Sequence, residues 1–101
     1  MTRGEILDTA KLCVCGKREQ DYGTPEDNFK LIAKFWNDYL GYDPECPFIN
    51  AQDVAIMMAL LKIARIRNGG GTGDSFIDLA GYAACGGEIN DSRRVKERTN
   101  E

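Results

Sequence analysis

The sequence predicts an all-α fold, a compact bundle of about four helices. Three observations carry this: apolar residues recur at helical spacing in four separate stretches, three of these open on a capping signal, and no stretch alternates polar and apolar residues as a strand would. At 101 residues, with 43% hydrophobic and 29% charged residues, the chain has room for one domain and one core.

Thr2 and Glu5 form a capping box that opens the first helix, where Ile6, Leu7, Ala10, Cys13 and Val14 fall at helical spacing. Gly16 interrupts this pattern, Lys17 to Gln20 can extend it, and Tyr22-Gly23-Thr24-Pro25 breaks it. Thr24 is an N-cap with Pro25 at N1, and Glu26 and Asp27 complement the helix dipole in the first turn. The second helix carries Phe29, Ile32, Ala33, Trp36 and Leu40 on one face and stops at Gly41. Tyr42 to Ile49, with Pro44 and Pro47, reads as a loop.

Asn50, with Asp53 three residues on, starts a third helix over Ala51 to about Arg67. It is apolar nearly all round, which predicts a central helix, or one that also meets a second subunit. Asn68 to Gly73 is a glycine-rich hinge; it lacks the G-x-x-x-x-G-K-[ST] pattern of a phosphate loop. A fourth helix, from about Asp74 to Ile89, buries Phe76, Ile77, Ala80, Ala83 and Ala84, and its small residues allow close approach of a neighbour. Residues 90–101 form a polar tail after the single domain of residues 1–89, either a frayed helix or disordered.

The composition excludes several classes of function. There is no histidine, so imidazole triads and imidazole metal ligands are impossible. A net charge of −3 disfavours general nucleic-acid binding. No apolar run reaches the roughly 20 residues of a membrane span, and none follows Met1-Thr2-Arg3-Gly4-Glu5 as in a secretory signal, so a cytoplasmic location is expected. Cys13, Cys15, Cys46 and Cys85 match neither a CxxC pair nor a zinc site, and read as buried or half-buried thiols. The unwetted third helix and the small-residue face of the fourth predict a homo-oligomer, most simply a homodimer.

The chemistry-bearing residues fall into two groups. Lys62 and Arg65 share a face of a helix that otherwise avoids charge, and Asp74 and Asp78 share a face of the next one. An antiparallel pairing would set the cations against the acids. That arrangement suits either a structural ion-pair lock, or a Mg²⁺ on Asp74 and Asp78 with Lys62 and Arg65 on phosphate oxygens. The second group surrounds the first helix junction: Arg18, Asp21, Tyr22, Glu26, Asp27 and Asn28. Arg18 and Tyr22 suit a base or a phosphate, and equally a structural cap; Glu26 and Asp27 suit the helix dipole, with metal binding as the alternative.

One set of residues carries a resemblance: Gly16-Lys17-Arg18, Asp21-Tyr22-Gly23, Asn28-Phe29, Ile32-Ala33, Trp36 and Tyr39-Leu40-Gly41, then Asp53-Val54-Ala55, Met58, Leu61-Lys62-Ile63-Ala64-Arg65, Asp74-Ser75 and Asp78-Leu79-Ala80-Gly81-Tyr82-Ala83. Over residues 5–89 the chain resembles a small domain family found mostly in phages and prophages. That family is distantly similar to the all-α, MazG-like nucleoside triphosphate pyrophosphohydrolases. The resemblance implies Mg²⁺-dependent cleavage of an NTP to NMP and pyrophosphate. Asp78 looks like the last acid of the E-x-x-D motif of those enzymes, with Asp74 in place of its Glu at a spacing of four. The preceding E-E-x-x-E motif is missing from the third helix, where Asp53 is the only acid. By the same resemblance Asp74 and Asp78 are the catalytic and metal-binding candidates, joined by Glu26 and Asp27. Lys62, Arg65 and Arg18 are the phosphate ligands, and Tyr22, Asn28 and Tyr82 contact the nucleotide. The alternative is a non-catalytic phage protein that binds a nucleotide signal or a host defence protein.

Overall fold

The computed structural model describes residues 1–17, 20–21, 23–70 and 73–99, without the side chains of residues 17, 70 and 91–99. Its secondary structure is helical, with no strand among the described residues. Helix α1 spans Arg3–Leu12, α2 Pro25–Leu40, α3 Ala51–Arg65 and α4 Gly73–Thr99.

Local chemistry sets the ends. Thr2 caps α1 in a reciprocal box with Glu5, and the chain then kinks at Gly16 within the segment Cys13–Lys17. The Thr24 hydroxyl accepts from the Asp27 N–H at 3.3 Å to open α2. Gly41 closes it in the left-handed conformation (φ 83°), where a Cβ would be strained. Asn50 and Asp53 cap α3 reciprocally, at 2.9 and 3.0 Å. One boundary differs from expectation, and one open alternative is decided for helix. Helix α3 gives way at Arg65 to a short segment, Ile66–Gly70, that turns on left-handed Gly69. Helix α4 runs past Ile89 to Thr99, the helical one of the two alternatives for the polar tail.

The helices meet around Val54 and Ala55 of α3, which are fully buried with Phe29, Ala33, Ile49, Ala51, Tyr82, Cys85 and Ile89. Helix α4 packs chiefly on α3 and then on α1, while α2 packs on α3. The expected small-residue contacts form at two glycines. A Cβ on Gly86 would stand 3.1 Å from Ala55 Cβ, and one on Gly81 would stand 3.0 Å from Val14 Cγ1. Several residues expected in the core lie outside it: Leu7, Leu40, Cys13, Phe76, Ala83 and Ala84 are exposed, because one layer of neighbours covers only one side of each helix. Cys15 and Cys46 are also exposed, and only Cys85 is a buried thiol as expected.

Asn37 is a polar residue at 4% exposure that the hydrophobic pattern does not reveal. Its Nδ2 donates to the Ile49 carbonyl at 2.8 Å, and its Oδ1 accepts from the N–H groups of Phe48 (3.1 Å) and Ile49 (2.9 Å). One amide therefore ties the end of the proline loop to α2 just before α3 begins. Asn37→Ala removes three bonds and leaves buried backbone groups unpaired, so a loss of about 2–4 kcal/mol is expected in urea unfolding. A loss below ~0.5 kcal/mol would show that the loop is held by other means.

Candidate functional site

Helix α3 has a single inward-leaning cation, Lys62, whose side chain is 12% exposed. A cation on such an apolar surface needs a counter-charge, because desolvating it alone costs several kcal/mol. The counter-charge comes from the first turns of α4: Lys62 Nζ lies 3.1 Å from Asp78 Oδ2, and Asp78 is 35% exposed. The pair spans the α3–α4 seam close to solvent.

Asp78 also lines a narrow cleft between the start of α2 and the first half of α4. The other walls are Val14, Gly23, Pro25, Asn28, Phe29, Ile77, Gly81, Tyr82 and Cys85, and the space is about 30 Å³. That admits a water or two, against the roughly 300–1,000 Å³ of an enclosing ligand pocket. Any larger ligand must lie across the mouth rather than inside.

The structure brings some of the candidates together and not others. Lys62 and Asp78 are paired, and Asp78, Asn28 and Tyr82 share the cleft. Tyr82 is a core residue at 7% exposure, with its ring centroid 6.2 Å from that of Phe29, so its ring face is not open to a base. Arg65 and Asp74 are exposed, and neither forms an ion pair among the described residues, so the expected two-against-two arrangement is reduced to one pair. Glu26 and Asp27 sit in the first turn of α2, where they complement the helix dipole. Among the described residues no three Asp, Glu or Cys side chains converge, so Asp74, Asp78, Glu26 and Asp27 do not build one metal cluster. Arg18 and Tyr22 lie outside the described residues.

A wider groove of about 490 Å³ escapes the sequence reading. It lies between α2, the proline loop and the start of α3, lined by Lys30, Lys34, Asn37, Pro44, Pro47 and Gln52 among others. Lys30 and Lys34 stand one helical turn apart, and that spacing was the available signal.

These features define a small all-helical domain with one partly buried ion pair across its main helix seam and a narrow notch beside it. The chain belongs to a family described as a domain of unknown function, DUF6378, whose model matches residues 5–90. It is 44% identical over 80 residues to the Gene 55 protein of Mycobacterium phage D29, covering 79% of this chain and 50% of that protein. It is 43% identical over 81 residues to the Gene 55 protein of Mycobacterium phage L5, covering 77% of this chain and 47% of that protein. The chain thus spans about half the length of these phage relatives. No solved structure matches it significantly. No helix among the described residues is long and apolar enough to cross a membrane.

The ion pair has a measurable weight. Asp78→Ala leaves a mostly buried ammonium without its partner and should cost about 1–3 kcal/mol. Lys62→Met keeps the apolar stem and should cost about 1 kcal/mol or less. A double-mutant cycle with a coupling energy below ~0.3 kcal/mol would show that the two groups do not depend on each other.

Proposed function

We propose that this domain binds a nucleoside triphosphate across the mouth of the Asp78 cleft and hydrolyses it, a water attacking phosphorus as the α–β phosphoanhydride bond breaks, to a nucleoside monophosphate and pyrophosphate. The observation that supports this most is the position of Asp78, the acid that resembles the end of the MazG-like E-x-x-D motif. Its carboxylate stands at the edge of a cleft shared with Asn28, 3.1 Å from the Lys62 ammonium. A bound phosphate chain would draw Lys62 onto its oxygens and release the carboxylate for other work. Exposed Arg65, near the end of α3, adds a second cation that can swing toward the same anion.

The donor set fits a Mg²⁺ that arrives on the triphosphate. This ion keeps several waters and takes one or two protein carboxylates plus phosphate oxygens, and Asp78 and Asp74 are the residues that would hold it. Bound there, it would neutralise charge on the phosphate chain. Asn28, half-buried on the cleft wall, would hydrogen-bond the sugar or a phosphate oxygen.

A second reading, binding without turnover, is favoured by the lack of any three converging carboxylates among the described residues. Phosphoryl-transfer sites rely on concentrated charge stabilisation, and one carboxylate tied to a lysine supplies little of it. On that reading the domain sequesters a nucleotide or engages a host defence protein.

Pyrophosphate release from a panel of NTPs and dNTPs with Mg²⁺ separates the two. Turnover by the wild type should fall roughly 100-fold or more in Asp78→Asn, a change that keeps the side-chain shape. No pyrophosphate from any nucleotide ends the enzyme reading. Calorimetry with the same panel then tests binding alone, where Lys62→Met should weaken affinity by about tenfold.

A further inference from the structure

Helix α3 keeps one long face bare. Ile56, Met57, Leu60, Leu61 and Ile63 are each between 42% and 58% exposed, and no charged residue lies between Asp53 and Lys62. Together these five side chains leave on the order of 400 Å² of apolar surface to water, comparable to the largest patch a monomer normally shows (about 300–600 Å²). The face borders a groove of about 440 Å³ between α3 and α4, where Ala59, Ala83 and Gly86 offer little relief against a neighbouring helix. The groove walls add a little more, so the patch supplies about half of the ~800 Å² per partner of a standard interface.

We propose that this face is the interface of a two-fold homodimer in which α3 crosses its copy antiparallel at Leu60. The charges at its two ends single out a second copy as the occupant. Asp53 lies seven residues before Leu60, and Arg67 lies seven residues after it. Seven residues are close to two helical turns, so all three share one face. The chain stays helical past Arg67, since Gly69 is the non-helical residue of the segment Ile66–Gly70. A two-fold axis at Leu60 therefore sets each Asp53 opposite the partner copy's Arg67, while Ile56, Met57 and Ile63 fill the middle. The pattern is self-complementary, as an isologous interface must be. The other exposed ridge, Leu31, Phe35 and Tyr39 on α2, runs beside charges that already pair within their own helix, since Lys34 and Asp38 lie 3.4 Å apart. The inference is independent of the nucleotide reading.

The test is light scattering on the full chain, with variants. The wild type should weigh twice the 11.2 kDa chain mass. Leu60→Asp should weigh 11.2 kDa with an unchanged helical circular-dichroism spectrum, since Leu60 is exposed in the isolated chain. Arg67→Glu should weaken the dimer roughly tenfold by opposing two acids. With Cys13, Cys15 and Cys46 changed to Ser, Leu60→Cys should form a disulfide across the axis when treated with oxidised glutathione, read on a non-reducing gel. A monomeric wild type overturns the proposal. So does a dimer that survives Leu60→Asp, or one that Phe35→Asp dissolves instead.

Discussion

An ammonium group on an apolar helix needs a partner, and in this domain that need joins the two longest-packed helices. Lys62 is the one cation that α3 turns toward its neighbours, and Asp78 is the acid that α4 brings within 3.1 Å of it. The contact fixes which face of α4 meets α3 at one end of the seam. At the other end, Gly86 lies so close to Ala55 that a methyl group would stand 3.1 Å away. A charge pair near solvent and a steric fit deeper in the core thus set the same register by different means. Apolar packing alone would leave a helix as uniformly greasy as α3 free to choose among rotations, and the pair removes that freedom.

Much of this fold is legible in the residues because its boundaries are local chemistry. Thr2, Thr24 and Asn50 act as N-caps, and Gly41 acts as a left-handed stop, all within one turn of the residues they serve. Burial is less legible, since periodicity identifies a face without saying whether anything covers it. Leu7 and Leu40 have the right spacing and remain exposed. Asn37 shows the converse: a polar letter in an amphipathic helix reads as solvated, yet it is buried by backbone partners on a loop more than ten residues away. Pairing over that separation leaves no trace in helical spacing.

The candidate site was legible to a similar degree. An i,i+3 cationic pair followed by an i,i+4 acidic pair pointed to contact across the turn, and Lys62 with Asp78 makes that contact. Spacing does not distinguish which member of each pair faces inward, and Arg65 and Asp74 face solvent. Tyr82 is a nucleotide candidate through the resemblance alone, and its ring instead fits the core beside Phe29. Membership in DUF6378 and similarity to the phage Gene 55 proteins extend the fold to relatives without assigning chemistry, so the function rests on what the seam can bind.

That rests in turn on where a nucleotide lands. Backbone amide resonances followed by NMR during titration with a non-hydrolysable, Mg²⁺-loaded nucleoside triphosphate answer this directly. The account predicts shifts gathered at Asn28, Lys62 and the stretch from Asp74 to Tyr82, with the groove around Lys30, Lys34 and Gln52 unmoved. Shifts confined to that groove, or none at millimolar ligand, would contradict it.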